Sequence, residues 1–146
     1  MSNENLVFVF GSNQRGAHGA GAAKEAAKNW GARYGLGEGH SGKSYAIPTK
    51  DFSIQSLTLD EVADGVEKFV KFAKNHPEYT FLVSKIGCGL AGFKVEDIAP
   101  LFKQAKDLDN VYFPYDFLEP LSLNNKRMSF NTHDKLADRF KNDTNA

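Results

Sequence analysis

This chain of 146 residues is poor in several things. It has one cysteine, Cys88, so no disulfide can form within it and a reducing compartment suits it. It has no excess of either charge: 18 Lys and Arg stand against 18 Asp and Glu. A surface built for DNA, RNA or an anionic membrane needs a basic surplus, so general nucleic-acid binding and membrane binding are not expected. No apolar run nears the ~20 residues of a membrane span. Residues 1–5 lack the basic-then-apolar pattern of a secretory signal. The histidines His18, His40, His76 and His133 show no metal-ligand spacing, so neither a metal nor a cofactor is expected. A soluble cytoplasmic protein is the expectation, with 41% hydrophobic and 25% charged residues in an ordinary globular mix.

What the chain has in plenty is glycine, 13 in all, with nine between Gly11 and Gly42 and three between Gly87 and Gly92. Glycine gathers where a backbone turns sharply or comes close to something.

The hydrophobic pattern predicts alternating strands and helices. Leu6-Val7-Phe8-Val9-Phe10 is an apolar run ending at Gly11, as in a strand buried on both faces. Residues 20–30 are alanine-rich, with Lys24, Glu25 and Lys28 for a wet side and Gly31 to end the helix. Residues 33–42 read as a glycine-rich loop, and residues 44–49 as a strand whose Pro48 marks an end or an edge. Thr58 and Glu61 have capping-box spacing. After them Leu59, Val62, Val66, Phe69, Val70 and Ala73 recur at helical intervals until Asn75-His76-Pro77. A strand over residues 79–85, a helix over 95–106 interrupted near Pro100, and a strand over 110–114 complete a β-α-β-α-β-α-β order. That order predicts an α/β fold, with a mostly parallel sheet between layers of helices. Residues 1–118 form the expected domain and 119–146 a polar C-terminal extension, in which Leu136, Ala137 and Phe140 suit a short helix or an unstructured end.

In open sheets of this kind ligands bind beyond the C-terminal strand ends. The glycine loops after the first strand and after the 79–85 strand should therefore face one crevice. Backbone amides there suit a phosphate or diphosphate. A sharper match points elsewhere: Gly37-Glu38-Gly39-His40-Ser41-Gly42-Lys43-Ser44 fits the phosphate-loop pattern letter for letter. That motif needs a strand before it and a helix after it. Residues 29–36 show no strand-like run, and Tyr45-Ala46-Ile47-Pro48 is a poor helix start, so a P-loop nucleotidase remains a minor alternative.

The motifs Phe10-Gly11-Ser12-Asn13 and Gly16-Ala17-His18-Gly19-Ala20-Gly21-Ala22-Ala23 resemble the macro domain family, whose asparagine-ended strand leads into a glycine loop around a ribose. Ser84-Lys85-Ile86-Gly87-Cys88-Gly89-Leu90-Ala91-Gly92-Phe93 is similar to the family's second phosphate loop. The branch most resembled contains the terminal ADP-ribose protein glycohydrolase, because Ala46-Ile47-Pro48-Thr49-Lys50 is similar to a strand that presents a lysine there. The resemblance spans about residues 6–114 and implies a three-layer macro-like fold without the family's usual first strand. It implies a binder of ADP-ribose or of an ADP-ribosylated substrate, and an ADP-ribosyl hydrolase. Short proteins of this pattern look typical of bacteriophages, which implies a bacterial or phage-infected host cytoplasm.

The resemblance places Gly11, Ser12, Asn13, Gly16, His18, Gly19, Ala20 and Gly21 on one side of the ligand. Gly87, Cys88, Gly89, Leu90, Ala91, Gly92 and Phe93 stand on the other. Asn13, Lys50 and Asp51 are the catalytic candidates: an amide that can hold a water, an amine that can attack the anomeric carbon, and a carboxylate base. Each also has a plain reading, as a loop-start amide, a solvated lysine and an ordinary acid. Cys88 reads as a packed thiol. Two departures weigh on the resemblance. The family's adenine-holding Asp has no counterpart, leaving Phe52, Tyr115, Phe117 or the C-terminal segment for the base. The branch's acid after Gly-Cys-Gly-Leu is replaced by Ala91, which favours the alternative of a non-catalytic reader or sponge.

Overall fold

The computed structural model describes residues 5–123 and 129–130. Successive residues of a strand face opposite ways, and in β1 (Leu6–Asn13) both sets are buried. Val7 and Val9 join one hydrophobic cluster, while Leu6, Phe8 and Phe10 join another. A strand wet on neither face needs no polar alternation, so it reads as a plain apolar run. The same division continues along the sheet: Ile47, Phe81, Val83 and Phe113 fall in the first cluster, Ala46 and Leu82 in the second.

Six strands lie in the order β2–β3–β1–β4–β5–β6. They are β2 (Gly39–Ser41), β3 (Ser44–Lys50), β4 (Thr80–Val83), β5 (Val111–Pro114) and β6 (Ser129–Phe130), with β1 near the middle. Only β2 with β3 is antiparallel; the other pairs are parallel, so the sheet is mixed and the fold is α/β. Among the described residues no helix is long and apolar enough to cross a membrane.

Helix α2 (Leu59–Asn75) carries the larger core. Thr58 and Glu61 make the reciprocal bonds of a capping box at its start. Val62, Val66, Phe69, Val70 and Ala73 are buried along one stripe, as their spacing predicts. Phe69 is wholly buried and meets the rings of Phe81 and Phe102 edge-on; truncating it to alanine should cost about 3–5 kcal/mol. Helix α1 (Gly21–Asn29) covers the opposite face with little more than Ala23 and Ala26, which lets its backbone lie close to the sheet. Trp30 follows it and stacks on Phe8 at 5.3 Å.

The structure departs from the sequence pattern in four places. β1 runs past Phe10 to Asn13 because Gly11 and Ser12 keep pairing with Ile47 and Pro48. The loop expected over residues 33–42 contains β2, a polar edge strand held by its pairing with β3. Pro48 sits inside β3, yet β2 reaches only as far as Ala46, so no partner there needs an N–H from it. The third helix is α-helical only over α3 (Val95–Ile98), and Pro100 stands at the start of a 3-10 helix, Ala99–Ala105.

The phosphate-loop reading of residues 37–44 fails on its flanks. Gly39–Ser41 is strand and Ser44 opens β3, so no helix follows Lys43 to receive a phosphate. In the extension, Leu121 packs into the larger core and Ser129–Phe130 pair with β5. Leu136, Ala137, Phe140 and His133 lie outside the described residues.

Candidate functional site

The C-terminal ends of β3, β1 and β4 lie side by side, with Asn13 paired to Lys50. The glycine loops that leave β1 and β4 enclose a cleft of about 770 Å³. That is the size of a nucleotide-sized ligand site, at the edge where α/β sheets bind ligands.

The first wall is formed by Gly11, Ser12, Asn13, Ala17 and residues 19–23. Asn13 folds this loop on itself: its Nδ2 donates to the Ala17 carbonyl at 2.7 Å and its Oδ1 accepts from the Ala17 amide at 3.0 Å. One N–H and one lone pair are left over. The amide placed by the sequence as a water-holder is thus chiefly a loop staple. Beyond it, α1 begins with its N-terminus at the cleft. Ala20 supplies no side-chain cap and the first turn carries no acid. The amides of Gly21, Ala22 and Ala23, which a helix cannot satisfy within itself, donate to no protein group among the described residues. Gly19 faces open space, where a Cβ would meet nothing within 4 Å.

The second wall is residues 84–91. Gly87 turns with φ +75° and packs beneath Phe93 and Ile98. The amides of Gly89, Leu90 and Ala91 also donate to no protein group among the described residues. Leu90 is 74% exposed at the rim. Cys88 lines the cleft, but burial pushes its thiol up to about 11, against a smaller opposing pull from Lys85. A thiol held protonated at neutral pH is no nucleophile.

Two lysines enter the cleft. Lys50, at the end of β3, makes no side-chain hydrogen bond or ion pair among the described residues. Lys85 follows β4 and pairs with Asp116 at 3.0 Å. Sequence reasoning missed Lys85 as a site residue. Its signal was positional: like Lys50, it stands where a parallel strand ends at the ligand edge. The cleft is lined by no Asp or Glu among the described residues. Asp51, named as a base, lies outside the lining and spends Oδ1 on the amides of Ser53 (2.8 Å) and Gln55 (3.0 Å). The hydroxyls lining the cleft, Ser12, Thr49 and Ser84, donate to the carbonyls of Gly37, Ser12 and Val9.

Four further residues placed at the ligand by the sequence lie outside the lining. Gly16 is buried against Gly35, so close that a Cβ would collide with its backbone. His18 is fully buried behind the first loop. Gly92 closes a turn through its amide to Gly89, and Phe93 packs toward the core. Of the aromatic side chains proposed for a base, Phe117 is buried in the core and unavailable, whereas Phe52 and Tyr115 are exposed. Among the described residues no three His, Cys, Asp or Glu side chains are placed to share a metal ion. The chain matches no family model, no curated protein and no solved structure.

Proposed function

We propose that the protein binds ADP-ribose, free or attached to a macromolecule, with its diphosphate on the amides of the two glycine loops. The macro-like fold assigned to it rests on the motif residues themselves, from Phe10 to Ala23 and from Ser84 to Phe93. One observation carries the functional reading: a cleft with uncapped amides on both walls, two lysines and no carboxylate. Such a lining attracts an anion and nothing in it repels one. An amide bond to a charged oxygen contributes about 1.5–3 kcal/mol, so a few of them hold a diphosphate without a basic patch. The zero net charge of the chain is consistent with that receptor. Calorimetry with ADP-ribose tests the reading. Heat of binding and a raised Tm are expected; neither, at millimolar ligand, would overturn it.

Hydrolysis of the ADP-ribosyl linkage is the second reading, favoured by the unpaired Lys50 in the cleft. Once its ammonium gives up a proton, the amine would attack the anomeric carbon as the macromolecular group leaves with a proton, and water would then break the new carbon–nitrogen bond to release ADP-ribose. Asp51 lies outside the lining and position 91 is alanine, so no carboxylate among the described residues of the cleft serves as base. Binding without turnover is therefore the better-supported activity. Incubation with ADP-ribosylated protein separates the two: free ADP-ribose released by the wild type and not by Lys50→Ala would establish the enzyme.

A further inference from the structure

We propose that the segment over residues 33–37, which ends at the first glycine of the misleading phosphate-loop match, is a positioning element for the anion-binding loop, acting through Tyr34 and His18. The proposal rests on the binding reading above.

None of residues 33–37 lines the cleft, yet they hold the loop that does from behind. The Gly35 amide donates to the Gly16 carbonyl at 2.9 Å. The Tyr34 hydroxyl donates to the His18 carbonyl at 2.8 Å. Ser12 Oγ donates to the Gly37 carbonyl. His18 Nε2 lies 3.0 Å from the Arg33 carbonyl oxygen, which can only accept, so Nε2 carries the hydrogen. The segment is itself anchored, with the Arg33 amide on Ser41 Oγ at 3.1 Å in β2. Contact is close enough to demand glycine on both sides: a Cβ at Gly16 would strike Gly35, and one at Gly37 would strike the Asn13 carbonyl.

His18 shows what these contacts are for. Its ring is wholly buried, edge-on to Phe10 at 5.4 Å and tilted against Tyr34 at 5.4 Å. Its Nδ1 has no hydrogen-bond partner among the described residues. A buried polar atom without a partner is destabilising, and a phenylalanine would fill the space without it. What the imidazole adds is the single bond to Arg33, which joins the two loops. Tyr34 is 64% exposed, so its hydroxyl adds little to global stability, and its bond acts on the loop alone. A loop fixed before the ligand arrives spares the ligand the cost of ordering it, so these contacts should show in affinity.

The test is Tyr34→Phe, which removes one hydroxyl outside the cleft lining, beside Tyr112→Phe as a control, whose hydroxyl lies outside the lining and makes no hydrogen bond among the described residues. For Tyr34→Phe, ADP-ribose affinity should fall about three- to tenfold while Tm stays within about 2 °C, as the loss of one hydrogen bond predicts. Amides of residues 17–21 should exchange hydrogen faster in the free protein. The control should change neither. His18→Phe should weaken binding similarly, and His18→Gln, which retains a donor, should recover part of it; Tyr34→Phe decides if these do not fold. Unchanged affinity in Tyr34→Phe overturns the proposal. If the wild type does not bind ADP-ribose, the binding reading fails by itself, and exchange carries the test: faster exchange supports the positioning role and unchanged exchange overturns it.

Discussion

Across the cleft, the two glycine loops are held differently. The loop after β1 is tied from outside, by Gly35 to Gly16, Tyr34 to His18 and Ser12 to Gly37. The loop after β4 closes largely on itself, through Gly92 to Gly89 and Phe93 to Gly87. Its outside links are exposed side-chain contacts, the Ser56 hydroxyl on the Ala91 carbonyl at 2.7 Å and Lys85 with Asp116 at 3.0 Å. The same residue type therefore serves two purposes. In the first loop Gly16 allows backbone to meet backbone; in the second, Gly89 leaves an empty space at the cleft. The first wall is built to be fixed, and the second has room to adapt.

Substitution should separate these two uses most strongly through stability. Gly16→Ala and Gly37→Ala each drive a Cβ into neighbouring backbone, and Gly16 also has φ +73°. Urea unfolding should show losses of about 3 kcal/mol or more for each. Gly89→Ala faces open space and should stay within about 0.5 kcal/mol of the wild type. If Gly16→Ala is equally harmless, the first wall is not fixed in this way.

On affinity the order should reverse. Gly89→Ala places its methyl in the cleft and should weaken ADP-ribose binding about tenfold, a figure of the size of one charge-assisted amide bond. Lys50→Ala should cost at least as much. Lys85→Ala should cost less, since Lys85 already has Asp116 as a partner. That pair is exposed and worth only about 0–1 kcal/mol, so a ligand phosphate can draw Lys85 from it cheaply. Calorimetry on the three variants ranks them.

A smaller effect concerns Cys88. A thiol at about 11, against an ordinary value of 9.0, has about a hundredth of the usual thiolate at neutral pH. Iodoacetamide should label the folded protein correspondingly more slowly than the urea-unfolded one, and bound ligand should slow it further. Equal rates would show the second wall to be open to solvent.

The smallest lies away from the cleft. Burial holds His40 below its usual value of 6.5, with the Gly42 backbone opposing the shift as an acceptor for the ring and His76 adding to it. The unfolded chain then binds the proton more readily, so stability from this group is present above 6.5 and falls as pH drops through the window beneath it. Tm measured from pH 7.5 to 5 should decline less steeply in His40→Phe than in the wild type.

The core was legible because its causes are local and periodic. The capping box at Thr58 and the stripe from Val62 to Ala73 specify α2 without reference to the rest of the chain. β2 was not legible: Gly39-His40-Ser41 has no alternation, and it is a strand only because β3 lies beside it. The site divides in the same way. That two glycine loops share one strand edge follows from topology. That Asn13 and Asp51 spend their polar atoms on neighbouring amides does not, because the same side chains serve equally well for turns and for chemistry. His18 and Gly16 belong to the first loop in sequence, but tertiary contacts turn them away from the cleft.

The chain's one tryptophan, Trp30, stands directly after α1, the helix whose other end meets the cleft. The two ends are about 14 Å apart at the usual helical rise. Its indole is buried and stacked on Phe8. All tryptophan emission therefore comes from one rigid, dry position coupled through α1 to the ligand edge. The protein carries its own optical reporter: a ligand that pulls on the first turn of α1 reads out as a change in colour or intensity at its last, with no label attached.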